Sequence, residues 1–341
     1  IKAFEQIEQA RAEISLSYYE FTTLAAFLIM MAVKPNIIIL EVGLGGRLDA
    51  TNIIDADVAV ITTIDLDHQA FLGNDRETIG FEKAGIFRAD QHIIIGDIDA
   101  PNSVINYADE VNHSTSNILI EQVKNKIKIP EKDFTLIEQN ISENQSLWQW
   151  QYTDINSTDV NNETYYLKDL ASTHIPRDNV ATALMVLRQL GITLTTDKVN
   201  GLIEKTKVSG RTELFTNDSV DGCDVMLDVG HNPHAGRYLT KKLMQLKQQN
   251  QYRHITAVVA MLADKDISNT LKPFHQVIDD WYIAELEVPR AASVKAMSAE
   301  VANFSHSINC FDNITQAFKM ANKNSQSSDL ILVFGSFYTV A

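Results

Sequence analysis

Short apolar, often β-branched runs separated by helix-length stretches recur along this chain, and that alternation most narrows what it can fold into. The runs lie at 37–42, 57–64 and Ile93-Ile94-Ile95, and again at Val225-Met226-Leu227, 254–261, 281–286, 307–311 and 330–334. Strands spaced by helices predict βαβ units on a parallel sheet, twice over. Helices are expected at 1–13, 18–33 and 75–87, then from Pro176-Arg177-Asp178-Asn179 through Leu190, stopped by Gly191, and at 196–206. The apolar run Phe21 to Val33 is too short to span a bilayer and reads as a buried helix. Between about 124 and 172 the pattern turns polar with interleaved aromatics, as in a small antiparallel sheet or an extended excursion. There Trp148-Gln149-Trp150 fits one buried strand face. A chain of 341 residues exceeds the usual span of one core, so two domains are expected.

The charge balance narrows the partners. Lys plus Arg number 29 against 44 Asp plus Glu, a net charge of -15, which disfavours nucleic acid and anionic membrane. Only Cys223 and Cys310 occur, too few for a disulfide framework, and both sit in strand-like apolar segments that predict reduced core thiols. No signal peptide is visible, and a cytoplasmic protein is expected.

Chemistry concentrates at strand ends. The run Ile37-Ile38-Ile39-Leu40 is expected to be a buried strand ending in Glu41 and the glycine-rich turn Gly43-Leu44-Gly45-Gly46. Ligands of open α/β sheets collect beyond carboxyl ends of strands, so this is a place for a metal or a phosphate. His68 follows the next strand in Asp65-Leu66-Asp67-His68, and Lys83 lies in Phe81-Glu82-Lys83-Ala84-Gly85-Ile86. Alone, Glu41 reads as a solvated turn residue, His68 as a hydrogen-bonded structural histidine and Lys83 as a surface charge. Together, a carboxylate and an imidazole closing two strands that can neighbour one another make a ligand pair for a divalent cation.

These residues belong to a longer series of motifs. Glu41-Val42-Gly43-Leu44-Gly45-Gly46-Arg47-Leu48-Asp49-Ala50-Thr51-Asn52 is followed in order by Leu66-Asp67-His68 with Phe71-Leu72-Gly73, Glu82-Lys83-Ala84-Gly85-Ile86, Ser209-Gly210-Arg211, Leu227-Asp228-Val229-Gly230-His231-Asn232-Pro233-His234 and Gly335-Ser336-Phe337. In this order and over nearly the whole chain the sequence resembles the folate branch of the Mur ligases, the dihydrofolate synthase/folylpolyglutamate synthase family. The resemblance implies an α/β fold: a P-loop-type Mur ligase central domain at 1–207 and a C-terminal Rossmann-like α/β domain at 208–341. It implies ATP-dependent amide formation, in which a pteroate or folate carboxylate becomes an acyl phosphate and the amine of L-glutamate displaces phosphate. The implied partners are dihydropteroate, tetrahydrofolate and its polyglutamates, L-glutamate and ATP, handled by a monomer with two Mg2+ and a monovalent cation.

Residue by residue, the resemblance makes Glu41 and His68 magnesium ligands. Lys83 matches a lysine that carbon dioxide carbamylates, so that it serves a second magnesium. Asn179, Arg211 and Asp228 match positions that contact ATP, and His231 one near the incoming glutamate. Arg47, Leu48 and Asp49 match the pteroate-binding part of the glycine-rich motif, and Ser336 is placed toward the glutamate. Each also reads as a cap or a surface ion pair.

One departure is large. The family's phosphate loop, Gly-Thr-Asn-Gly-Lys-Gly-Ser/Thr, has no match, and the first residue is Ile1. Both lead to the expectation of a fragment, shortened mainly at its N-terminus, with no ligase activity of its own. Three other readings stand beside this one. A peptidoglycan Mur ligase would share fold, ATP and magnesium. A nicotinamide dehydrogenase is suggested by Gly43-Leu44-Gly45-Gly46, but Leu48 stands where the fingerprint needs its third glycine. A non-catalytic binding homologue without the nucleotide loop is the last.

Overall fold

The computed structural model describes residues 1–113, 126–142, 145–154, 163–216 and 222–341. It divides into two compact units: residues 1–64 with 75–128, and residues 65–74 with 129–341.

The first unit opens with helices α1 (Lys2–Arg11) and α2 (Tyr18–Val33). A reciprocal capping box starts α2: Ser17 Oγ accepts from the Glu20 N–H, and the Glu20 carboxylate accepts from the Ser17 N–H. Strands β1 (Val58–Ile61), β2 (His92–Ile95) and β3 (Ile127–Lys128) form a parallel sheet in that order, with α4 (Arg76–Ala84) and α5 (Asn102–His113) in the connections. Two expectations fail here. The run 37–42 is not a strand: it has no ladder partner among the described residues, and Ile37, Ile38 and Ile39 are exposed. β-propensity alone does not make a strand, because its backbone groups need a neighbour. Helix α2 forms but is not buried. Only Ala25 is fully covered, and Ile29, Met31 and Val33 face solvent on sides that nothing described packs against.

The second unit begins with a short excursion, Asp65 to Asn74, carrying the one-turn helix α3 (Gln69–Leu72). The stretch expected between 124 and 172 resolves, where described, into an antiparallel sheet of β4 (Phe134–Ser142), β5 (Gln145–Asp154) and β6 (Glu163–Leu170). Residues 124–125, 143–144 and 155–162 of it lie outside the described residues. Trp148, Trp150 and Tyr152 alternate onto one buried face, as the pattern required. Helices α6 (Arg177–Gln189) and α7 (Thr196–Lys205) follow.

The larger sheet holds β7 (Glu213–Phe215), β8 (Asp224–Asp228), β9 (His254–Val259), β10 (Asp280–Ala284), β11 (Ile308–Phe311) and β12 (Asp329–Phe334). Its order is β11-β10-β9-β12-β8-β7, all parallel except the edge pair β7–β8. Alternating strand residues feed two cores. On one face Trp281, Ile255, Leu332 and Phe334 pack with Leu239 and Leu243 of α8 (Pro233–Gln248), Leu271 of α9 (Ile267–Leu271) and Met297 of α10 (Val294–Val301). On the other, Val258, Tyr282, Ile331 and Val333 meet Ala317 and Ala321 of α11 (Ile314–Asn324). Helices on both faces of a parallel sheet make the doubly wound arrangement, with the turns after β8, β9 and β12 at its carboxyl edge. Cys223 is buried as expected, but Cys310 is exposed, on β11 at the edge of the sheet.

Candidate functional site

The site residues fall into two groups, one in each unit. In the first unit the glycine-rich turn is organised by Asp49. One carboxylate oxygen accepts from the N–H groups of Gly43 and Leu44 at 3.0 and 3.2 Å. The other accepts from the Thr51 N–H, the Thr51 hydroxyl and the Tyr19 hydroxyl at 2.9, 2.7 and 3.1 Å. Burial pushes the Asp49 carboxyl up, but these donors outweigh it and hold it below the ordinary value. The stabilisation is therefore present above the ordinary carboxylate range and is lost as pH falls through the depressed value. Asp49→Ala removes this hub and the cap of the short turn Ala50–Ile53. It is expected to cost about 1–2 kcal/mol by urea denaturation, with a loss of acid sensitivity relative to wild type.

The same turn packs against the end of α4. The Arg47 N–H donates to the Glu82 carbonyl at 2.8 Å, and its guanidinium pairs with the Glu82 carboxylate at 3.0 Å. A Cβ on Gly46 would stand 2.9 Å from the Lys83 carbonyl, so the contact is backbone on backbone. Arg47, Asp49 and Lys83 are thus brought together, with Leu48 80% exposed beside them. Glu41 precedes the turn on exposed, non-strand backbone rather than at a strand end.

In the second unit the group stands at the carboxyl edge of the larger sheet. Asp228 closes β8 and is buried, accepting from the N–H groups of Thr212 and Gly230 at 2.7 Å each. Burial pushes its carboxyl above the ordinary value despite these donors and the nearby Arg211 and Lys242 cations. Thr212 takes a left-handed backbone, φ 43°, unusual for a β-branched residue. Its hydroxyl donates to the His174 carbonyl at 2.5 Å and accepts from Lys242 Nζ at 3.1 Å. Next to it Arg211 lies over the Phe337 ring at 5.5 Å, and Asn179 is exposed near the start of α6.

His231 follows in the turn after β8. Its Nδ1 is 2.8 Å from the Val229 carbonyl, which can only accept, so Nδ1 carries a proton, and in the neutral ring Nε2 is the nitrogen with the lone pair. That Nε2 is 3.9 Å from Asp67 Oδ2 in the excursion. Asn232 caps α8 through its carbonyl oxygen, which accepts from the Ala235 N–H at 2.9 Å, while its Nδ2 donates to Asp67 Oδ2 at 3.2 Å. His68 adopts a left-handed backbone, φ 51°. Partial burial lowers its imidazole, as does the Lys265 charge, against Asp67 and Asp264. A neutral imidazole suits ligation. Ser336, in the turn after β12, is buried: its Oγ accepts from the Thr339 N–H at 3.1 Å and stands 2.7 Å from the Thr339 hydroxyl.

Sequence reasoning passed over Asp67, Asn232 and Lys265. Lys265 sits just past the strand run 254–261, the same kind of place that drew attention to Glu41 and His68. Among the described residues no group of three or more His, Cys, Asp or Glu is close enough to hold a metal ion. Magnesium seldom needs such a cage, because it keeps waters and borrows substrate phosphates beside one or two protein ligands. In the first unit the exposed Glu41 carboxylate, and in the second the His68 imidazole, are each a donor of a kind such an ion can use. No helix of the described residues is long and apolar enough to cross a membrane.

The chain is similar to known proteins over nearly its whole length. The Mur ligase glutamate ligase domain matches residues 210–337, which hold the carboxyl-edge turns. The dihydrofolate synthase/folylpolyglutamate synthase of Escherichia coli (strain K12) is 37% identical over 341 residues, covering 99% of this chain and 71% of that protein. The E. coli FolC structure in complex with DHPP and ADP superposes with a TM-score of 0.81 at 36% identity, over 99% of this chain and 72% of that one. A bifunctional folylpolyglutamate synthase/dihydrofolate synthase structure with Mn, AMPPNP and L-glutamate bound gives 0.80 at 36% identity, over 99% and 73%. The chain belongs to the dihydrofolate synthase/folylpolyglutamate synthase family of the Mur ligases.

Proposed function

We propose that this protein joins L-glutamate to dihydropteroate and, in later rounds, to tetrahydrofolate and its polyglutamates, at the expense of ATP. The observation that carries this reading is the turn after β8, where Asp228 and His231 stand at the carboxyl edge of the matched glutamate ligase domain. The pterin-linked carboxylate attacks the γ-phosphorus and ADP departs. The glutamate amine then attacks the acyl phosphate carbon, inorganic phosphate leaves, and the amine sheds a proton. His231 Nε2, unprotonated while Nδ1 donates to Val229, accepts that proton, and Asp67 at 3.9 Å stabilises the resulting imidazolium.

Arg211, exposed beside Asp228, meets phosphate oxygens with its forked donors, and Asn179 contacts the nucleotide. Asp228 supports this by ordering the backbone at 212 and 230. Arg47, Leu48 and Asp49 serve the pteroate end, where exposed Leu48 offers apolar contact and Asp49 shapes the turn. Ser336 serves the glutamate by fixing the turn after β12. Glu41, His68 and a carbamylated Lys83 are the residues that would hold two Mg2+, which supply charge neutralisation for the phosphates. A monovalent cation, a monomeric state and a cytoplasmic location complete the proposal. The functional division at 207/208 is supported by the start of the ligase domain match at 210.

The test is glutamate-dependent ADP release with dihydropteroate and with tetrahydrofolate as separate acceptors. Glu41→Gln and His68→Ala should each raise the magnesium needed for half-maximal rate by at least the roughly 10–100-fold typical of losing an outer partner. Circular dichroism should be unchanged. A magnesium dependence equal to wild type in both would remove them as ligands.

A further inference from the structure

The Asp67 carboxylate gathers donors from side chains of two other turns and from the backbone that follows it. Oδ1 accepts from the backbone N–H of His68 at 2.8 Å and from Lys265 Nζ at 3.0 Å, while Oδ2 accepts from Asn232 Nδ2 at 3.2 Å. The Lys265 side chain is only 8% exposed and that of Asp67 25%, so this ion pair is largely withdrawn from water. Removing one member of such a pair strands the other without a partner. The ion pair between Asp65 and Arg237 also ties the excursion down.

Lys265 itself is fixed. Its carbonyl accepts from the Ile267 N–H at 2.9 Å, and Asp266 caps α9 by accepting from the Asn269 N–H at 3.1 Å. The ammonium is therefore carried on the start of a helix and delivered to Asp67. Because the same Asp67 oxygen also binds the His68 N–H, Lys265 acts on the left-handed backbone that aims the imidazole. We propose that Lys265 is a positioning residue: through Asp67 it holds His68 in its ligating orientation and keeps it beside the turn that bears His231. This rests on the reading of His68 as a metal ligand.

The probe is Mn2+ added to the intact protein with ADP, its free concentration followed by electron paramagnetic resonance, with His68→Ala, Lys265→Met and Lys265→Arg beside wild type. His68→Ala establishes the ligand reading, and an unchanged Mn2+ affinity there would overturn that reading and the proposal with it. If His68→Ala weakens binding, Lys265→Met is expected to weaken it roughly tenfold or more, with Lys265→Arg recovering most of the loss. Wild-type affinity in Lys265→Met would overturn the positioning role while leaving His68 as a ligand. A purely structural role is separated by nucleotide affinity, which should change less than about twofold in Lys265→Met. Should that variant lose its circular dichroism signal, Lys265→Gln, which keeps a neutral donor, replaces it. An intermediate Mn2+ affinity supports the proposal and a wild-type one refutes it.

Discussion

Lys83→Ala should reduce turnover by on the order of 10²–10³-fold, the scale seen when a group that stabilises developing charge is removed. Lys83 stands in the last turn of α4, its backbone packed on the glycine-rich turn that carries Arg47 and Asp49. Beside the metals proposed for this site, an unmodified ammonium would attract phosphates but repel the metals. Addition of its neutral amine to carbon dioxide, with loss of a proton, reverses the sign of the charge at that point. The carbamate reading makes a specific claim about rescue. Acetate in excess should restore part of the Lys83→Ala rate, and Lys83→Arg should remain inactive, since guanidinium keeps its positive charge. Near-normal turnover in Lys83→Arg would mean that the side chain works as a cation toward phosphate, and the carbamate would be abandoned.

Gly335→Ala should destabilise the second unit by about 3 kcal/mol, combining backbone strain with overpacking. Gly335 follows β12 with φ 122°, and a Cβ there would lie 2.3 Å from the Ala260 carbonyl oxygen. That carbonyl also accepts from the Thr339 hydroxyl at 2.7 Å, so moving it breaks the bond that seats α12 (Phe337–Val340). Ser336 would shift with it, and the KM for glutamate should rise. Gly191→Ala is the control: it too has a left-handed backbone, φ 74°, but nothing lies within 4 Å of an added Cβ. It should cost only about 1 kcal/mol. Urea denaturation followed by tryptophan fluorescence separates the two, because Trp281 is buried in the same sheet. Equal losses in both variants would show that the close approach to Ala260 contributes nothing.

Much of this was legible in the sequence where one segment carried its own instructions. The larger sheet follows its apolar runs closely, since each strand of it finds neighbours within the same unit. Trp148-Gln149-Trp150 announced a buried face because alternation is a property of the strand itself. The run 37–42 misled for the opposite reason: its composition was that of a strand, but pairing depends on a second backbone. Cys310 misled likewise, because nothing local distinguishes an edge strand from a central one. The motifs located the turns that bear Asp228, His231 and Ser336, yet not what holds them. The ties among Asp67, Asn232 and Lys265 span 165 and 198 residues of sequence, and no local pattern records which acid meets which ammonium.

The double engagement of Asn232 restricts what evolution could place there. Asp, Ser and Thr terminate helices about as well as Asn, so at an ordinary helix start they are interchangeable. Here the residue must accept a proton with one atom and offer one with another, at opposite tips of the same flat group. Asp would keep the helix start and set two negative charges face to face, and a hydroxyl is too short to reach both ways. Only the amide satisfies both demands, so at position 232 the usual synonyms are not synonyms.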